Sequence, residues 1–122
     1  MKLLLIDDDV FLRDMYAMKF RDSGFTVSVA DSGATALATV EQEGDFDVIL
    51  LDMVMPGLTG IDLMRQLQET FPNRKTKYIF LTNHGEETDI QSAKAAGAAG
   101  YIIKAEAIPS DVVAQVQKLI KS

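Results

Sequence analysis

Residues 3–9 read LLLIDDD, a short apolar run that ends abruptly in three acids. Four further short apolar runs follow along the chain, and we predict that all five are strands: residues 3–6, 25–29, 48–51, 78–81 and 101–103. Because the runs are largely continuous rather than alternating, they are typical of parallel strands that are buried on both faces. The first run is too short, and too soon interrupted by acids, to be a signal peptide.

Stretches with helical spacing separate these runs. Their apolar positions recur at intervals of three and four residues, which predicts five helices. These positions are Leu12, Met15, Tyr16 and Phe20; Ala36, Leu37 and Val40; Leu63, Met64 and Leu67; Ile90, Ala93 and Ala96; and Val112, Val113, Val116, Leu119 and Ile120. The repeated alternation of strand and helix predicts a parallel sheet with helices on both faces. We expect one doubly wound α/β domain over residues 1–122.

The composition excludes several classes of function. A length of 122 residues fits a single domain, and the absence of Cys excludes a disulfide framework and a thiolate zinc site. The net charge of −6 repels a phosphate backbone, so we expect no direct binding of nucleic acid. No run approaches the ~18 apolar residues that a membrane span requires. We therefore expect a cytoplasmic domain that does not bind membranes.

Polar side chains follow the ends of the predicted strands. The three acids of residues 7–9 follow the first strand, Asp52 follows the third, Thr82 follows the fourth and Lys104 closes the fifth. Taken singly, the acids could be helix caps or turn formers, and Thr82 and Lys104 could be surface residues. In open α/β sheets, however, the functional crevice lies beyond the carboxyl ends of the strands. We therefore expect these groups to converge.

Such a convergence suits the transfer of a phosphoryl group. Carboxylates at adjacent strand ends repel one another unless a cation joins them. Oxygen ligands without His or Cys favour Mg²⁺, which binds one or two carboxylates together with waters and phosphate oxygens. A carboxylate next to Mg²⁺, with a hydroxyl and an ammonium in reach, can itself accept the phosphoryl group. We expect Asp52 to attack in line while the metal and Lys104 neutralise the charge.

These residues together resemble the receiver domain of two-component response regulators, over essentially the whole chain. Four blocks carry the resemblance in order: LIDDD at 5–9, VILLDMVMPGLTG at 48–60, FLT at 80–82 and GAAGYIIK at 97–104. The resemblance implies a (βα)5 flavodoxin-like three-layer sandwich with a five-stranded parallel sheet in the order 2-1-3-4-5. It also implies a phosphoacceptor switch and not an enzyme, since such a domain promotes only its own phosphorylation and autodephosphorylation.

The resemblance assigns the acidic residues to phosphate and metal binding. Asp52 corresponds to the phosphoacceptor, which becomes an aspartyl phosphate. Asp7 and Asp8 correspond to the acidic pair that holds Mg²⁺, with Asp8 as the direct ligand and Asp7 acting through water. Asp52 itself and the backbone carbonyl of Val54 would complete the metal site.

The resemblance also implies a switch and a set of partners. Lys104 would pair with one phosphoryl oxygen, Thr82 would swing in to bind another, and Tyr101 would follow by turning from exposed to buried. The readout surface would comprise the fourth helix, the fifth strand and the fifth helix. The phosphodonor would be a sensor histidine kinase or a histidine phosphotransfer protein, and the target a downstream protein or a fused output domain. A phosphorylation-dependent homodimer through the same surface is common in the family.

Several positions depart from the family pattern. Lys104 is followed by Ala105, where the family usually has Pro after a cis peptide bond, so we expect a trans or strained bond here. Asn83 replaces a small residue at the phosphoryl entrance. Val54 and His84 occupy positions that tune the lifetime of the acyl phosphate, and we expect Val54 to exclude the attacking water. Ile108 replaces the usual polar cap of the fifth helix.

Three alternative functions share parts of this pattern. A haloacid-dehalogenase-like phosphatase would use Asp7 as its nucleophile and Asp9 as its acid/base, but it leaves Asp52 unexplained. A pseudo-receiver would bind partners without being phosphorylated, and Ala105 and Asn83 are the departures that favour it. A flavodoxin-like flavin binder would offer hydroxyls and backbone amides to phosphate in its first loop, where this chain has three acids.

Overall fold

The structure of the chain, a computed structural model, describes residues 1–72 and 75–121. Five parallel strands form one sheet in the order β2-β1-β3-β4-β5. The strands are β1 (Lys2–Ile6), β2 (Thr26–Ala30), β3 (Val48–Leu51), β4 (Lys77–Thr82) and β5 (Gly100–Ile103). The predicted α/β fold and the strand order 2-1-3-4-5 are therefore confirmed.

Helices cover both faces of this sheet. They are α1 (Val10–Asp22), α2 (Gly33–Glu43), α3 (Gly60–Thr70), α4 (Glu87–Ala95) and α5 (Pro109–Ile120). Successive strand residues point to opposite faces, so Leu4 and Ile6 pack with α2, α3 and α4, whereas Leu3 and Leu5 pack with α1 and α5. The apolar runs are continuous because both faces of each strand are buried.

The observed boundaries differ slightly from the predicted ones. Strand β2 begins at Thr26, one residue later than predicted, because Thr26 pairs with Lys2 and its N–H donates to the Met1 carbonyl. Phe25 lies before the strand, and its ring meets that of Phe20 edge-on at 5.4 Å between centroids. Strand β4 extends to Thr82, and that extension carries the hydroxyl to the end of the sheet.

Two departures from the family pattern have the structural form that we expected. The described residues contain no cis peptide bond, so the bond between Lys104 and Ala105 is trans, and a short 3₁₀ turn (Lys104–Glu106) follows β5. Ile108 is the N-cap of α5 and contributes no side-chain hydrogen bond to it. The chain therefore leaves β5 with Lys104 in an ordinary trans backbone.

The strand register places the predicted site residues at one edge. Ile6 pairs with Leu51, and Leu51 pairs with Phe80, so Asp7 and Asp52 follow neighbouring strand ends. Thr82 pairs with Ile103, the residue before Lys104. After Asp52 the chain forms a short hairpin (Val54–Met55 and Leu58–Thr59) that leads into α3.

Candidate functional site

An ammonium group lies between two carboxylates at the carboxyl edge of the sheet. Lys104 Nζ is 2.6 Å from Asp7 Oδ2 and 3.1 Å from Asp52 Oδ2. Only 7% of the Lys104 side chain, 2% of Asp7 and 13% of Asp52 are exposed. Burial alone would lower the pKa of Lys104, but the hydrogen bonds and charges of Asp7 and Asp52 outweigh it and raise the pKa above its ordinary value. Lys104 is therefore held as a cation that pairs with both acids.

Neutral donors bind the second oxygen of Asp52. The Thr82 hydroxyl donates to Asp52 Oδ1 at 2.5 Å, and the Val54 N–H reaches the same oxygen at 3.3 Å. Thr82 is fully buried, whereas Val54, two residues after Asp52, is 54% exposed. The structure thus brings Asp7, Asp52, Thr82 and Lys104 together, which is the convergence that the strand ends predict.

The other two acids of the first loop have different surroundings. Asp9 is the N-cap of α1, where its carboxylate accepts the Leu12 N–H at 3.1 Å. The Asp9 N–H donates to Asp7 Oδ1 at 3.0 Å and so helps to orient Asp7. Asp8 is exposed and carries no hydrogen bond or ion pair to the described residues. Asp9 therefore has a structural role, and Asp8 remains accessible to a ligand.

A chain of hydrogen bonds connects Tyr101 to the acceptor carboxylate. The Tyr101 hydroxyl donates to the His84 carbonyl, and the His84 N–H donates to Thr82 Oγ1 at 3.3 Å. Tyr101 is half-buried, and burial together with the charges of Asp89 and Asp52 raises the pKa of Tyr101 to about 12. In this structure Thr82 already contacts Asp52, and the Tyr101 hydroxyl is already bound within the loop after β4.

Two contacts of the site were not predicted from the sequence. The Tyr101 ring stacks on Phe80, with 5.7 Å between the ring centroids and 26° between the ring planes. The guanidinium of Arg13, on α1, donates to the Asp7 carbonyl at 3.4 Å, while its buried Nε has no hydrogen-bond partner. The only signal for Phe80 in the sequence is its position at the start of the third block, FLT at 80–82. Arg13 is marked only as a charged residue within the first predicted helix.

The remaining predicted positions lie at the rim of the site. Asn83 and His84 are exposed in the loop after β4, and Ala105 is exposed in the 3₁₀ turn. None of their side chains forms a hydrogen bond or ion pair with the residues that the structure describes. The structure therefore connects His84 to the site through its backbone alone.

The donor chemistry at this edge fits Mg²⁺. The carboxylates of Asp7, Asp8 and Asp52 and the carbonyl of Val54 are all hard oxygen donors. Among residues 1–72 and 75–121, no three His, Cys, Asp or Glu side chains are grouped closely enough to enclose a metal. Lys104 lies between Asp7 and Asp52, whereas the Asp8 carboxylate next to them is exposed.

Comparison with known proteins identifies the family. The family model for the response regulator receiver domain matches residues 3–117. The chain belongs to the response regulator receiver domain family. This receiver domain is 34% identical over 120 residues to the transcriptional regulatory protein ResD of Bacillus subtilis, a match that covers 98% of this chain and 48% of ResD. It is 36% identical over 105 residues to the chemotaxis protein CheY of Pseudomonas aeruginosa, over 85% of this chain and 84% of that protein.

Solved structures agree with this assignment. The chemotaxis protein CheY4 of Vibrio cholerae superposes with a TM-score of 0.87 at 30% sequence identity, over 97% of both chains. The receiver domain spans about half the length of ResD and most of the length of the Pseudomonas CheY. None of the helices within the described residues is long and apolar enough to cross a membrane. Membership of this family supports a phosphorylation-dependent signalling switch of a two-component system.

Proposed function

We propose that this receiver domain accepts a phosphoryl group on Asp52. The observation that carries the proposal is the arrangement around that carboxylate: Lys104 binds one oxygen at 3.1 Å and Thr82 binds the other at 2.5 Å. A cation and a hydroxyl at these distances can stabilise the charge on the oxygens of a transferring phosphoryl group. The proposed domain is a switch that promotes only its own phosphorylation and autodephosphorylation.

In the proposed reaction, an Asp52 oxygen attacks the phosphorus of a phosphohistidine. A bond forms between that oxygen and phosphorus, and the bond between phosphorus and the imidazole nitrogen breaks, with its electron pair leaving on the imidazole. Lys104 remains charged throughout and turns from the Asp52 oxygen to a phosphoryl oxygen. Thr82 keeps its hydroxyl directed at the same centre. Mg²⁺, held by Asp7, Asp8, Asp52 and the Val54 carbonyl, would supply further positive charge to the phosphoryl oxygens.

The partners follow from the relatives. ResD is named a transcriptional regulatory protein and is about twice as long as this chain, whereas the Pseudomonas CheY is a chemotaxis protein of nearly the same length. We propose a sensor histidine kinase or a histidine phosphotransfer protein as the donor. The target is either a fused output domain or a separate downstream protein, and the contact surface consists of α4, β5 and α5. We place the domain in the cytoplasm, where such donors present their phosphohistidine.

Residues at the rim of the site would set the lifetime of the phosphoryl group. The Val54 side chain is apolar and exposed next to Asp52, so it would exclude the water that attacks the acyl phosphate. Asn83 and His84 lie in the exposed loop after Thr82. We propose that these three side chains tune autodephosphorylation and take no part in transfer itself.

Intact mass after incubation with acetyl phosphate and Mg²⁺ tests the proposal. We expect one added phosphoryl group in the native chain, none in Asp52→Asn and none when a chelator removes the metal. Asp22→Asn, which changes an exposed acid at the end of α1, is the matched control and should be labelled like the native chain.

Two other outcomes would support the alternative functions. If neither acetyl phosphate nor a phosphorylated histidine donor labels the native chain, the domain is a pseudo-receiver. If Asp7→Asn abolishes labelling and Asp52→Asn retains it, the phosphatase-like assignment is correct, although Asp9 is already used as a helix cap.

A further inference from the structure

Phe80 on β4 lies directly opposite Tyr101 on the neighbouring strand β5. The two residues are register partners in the parallel pair of β4 and β5, and their rings stack at 5.7 Å with an angle of 26° between planes. Phe80 is fully buried, and a Cβ on Gly60 of α3 would lie only 2.8 Å from its ring. Because α3 approaches the Phe80 ring so closely, Tyr101 stacks on a ring that is packed on its other sides within the core.

The other end of Tyr101 is also held. Its hydroxyl donates to the carbonyl of His84, two residues after Thr82. Phe80 lies two residues before Thr82 on the same strand, and residues two apart on a strand share a face. Tyr101 is thus fixed at its ring by Phe80 and at its hydroxyl by the loop that follows Thr82.

We propose that Phe80 is a positioning residue that holds Tyr101 inward before Asp52 is phosphorylated. Inward here means the observed position, in which the ring is half-buried against Phe80 and the hydroxyl is bound to the His84 carbonyl. Tyr101 belongs to the α4, β5 and α5 surface. In the unmodified domain this surface would therefore already have its tyrosine in the inward position. The stack alone should change the ratio of inward to outward Tyr101 by roughly 2- to 10-fold, the factor that one aromatic pair contributes. The link to phosphorylation rests on the proposed function, whereas the position of Tyr101 can be measured without it.

The test uses Phe80→Leu in the full chain and follows the Tyr101 ring by NMR with ¹³C-labelled tyrosine. The chain has 3 Tyr, and Tyr101→Phe assigns the signal. We expect Phe80→Leu to raise the outward population of Tyr101 roughly 2- to 10-fold. Phe20→Leu is the matched control, because Phe20 is also fully buried and also forms an aromatic pair, on the opposite face of the sheet.

The control distinguishes positioning from a general loss of stability. If Phe80→Leu leaves the Tyr101 signal unchanged, or if Phe20→Leu moves it equally, the inference is wrong. Should Phe80→Leu fail to fold, Phe80→Met, whose unbranched and flexible side chain adapts to an irregular gap, is judged by the same two criteria. All measurements are repeated in Asp52→Asn, which cannot be phosphorylated. A Tyr101 shift that persists there supports the role of Phe80 even if acetyl phosphate labelling of the native chain fails.

Discussion

Replacing Lys104 with Met should be the most destabilising single change at the site. The ammonium lies 2.6 Å from Asp7 and 3.1 Å from Asp52, and all three side chains are largely buried. Met retains much of the apolar stem but leaves two like charges facing each other without a counterion. Removing one partner of a buried ion pair costs about 3–5 kcal/mol. That loss is a large fraction of the roughly 5–15 kcal/mol that stabilises a typical domain.

A double mutant shows whether the cost comes from the unpaired acids. In an Asp7→Asn background the more buried charge is already absent, and Asp52 keeps its hydrogen bonds from Thr82 and Val54. The same Lys104→Met substitution should then cost only about 1–2 kcal/mol, as for the loss of one hydrogen bond. The difference, about 1–4 kcal/mol, is the coupling energy between Lys104 and Asp7.

Urea unfolding followed by circular dichroism measures these energies, with a chelator present so that no metal replaces the lost ammonium. The slope against urea should stay constant between variants, since the surface exposed on unfolding is the same. Lys19→Met is the control, because Lys19 is an exposed lysine of α1 and its replacement should leave stability nearly unchanged. A cost of Lys104→Met below about 1 kcal/mol, or additivity with Asp7→Asn, would refute the reasoning.

Three further predictions concern the same edge of the sheet. Because the pKa of Lys104 is raised on folding, its contribution to stability should be complete below about pH 10.4 and should disappear as the pH rises through the folded-state pKa. As the pH is increased, the free energies of unfolding of the native chain and of Lys104→Met, measured in urea, should therefore converge. A difference between them that does not change with pH would contradict this. Val54→Asn should speed loss of the phosphoryl group, measured by intact mass after the donor is removed, and an unchanged rate would show that Val54 does not exclude water. Ile108→Ser should stabilise the domain by about 0.5–1 kcal/mol, because a hydroxyl can cap α5 where Ile108 cannot, and an unchanged urea midpoint would contradict it.

The sheet and its reactive edge were predictable because parallel strands impose both. A strand buried on both faces has to be continuously apolar, and the runs at 48–51 and 78–81 are strands or parts of strands. Parallel strands also bring all their carboxyl ends to one edge. The residues that follow those ends are Asp7, Asp52 and Lys104, and they are in contact. Their convergence could therefore be predicted without any knowledge of the loop structure.

The contacts that escaped prediction depend on pairing between elements. Within the run at 78–81, Phe80 is as apolar as its neighbours, and only the register of β4 against β5 sets it opposite Tyr101. Asp8 and Asp9 are likewise the same residue type at adjacent positions. Only the start of α1 distinguishes them, because Asp9 is the N-cap of that helix. Composition and spacing hold no information on such choices, because tertiary geometry makes them.

At this site, the residue that forms the ion pairs is not one of those that connect Asp52 to Tyr101 by hydrogen bonds. Lys104 pairs with Asp7 and Asp52 but takes no part in the hydrogen bonds that run from Asp52 through Thr82 and the His84 backbone to Tyr101. A phosphoryl group on Asp52 would add charge beside Lys104 and a new acceptor beside Thr82, so it would act on both systems at once. A ligand can shift a two-state element only by its differential interaction with the two states. If Phe80 already supplies part of the free energy that holds Tyr101 inward, phosphorylation has less of that free energy to provide, and the signal depends on how strongly the stack favours the inward state.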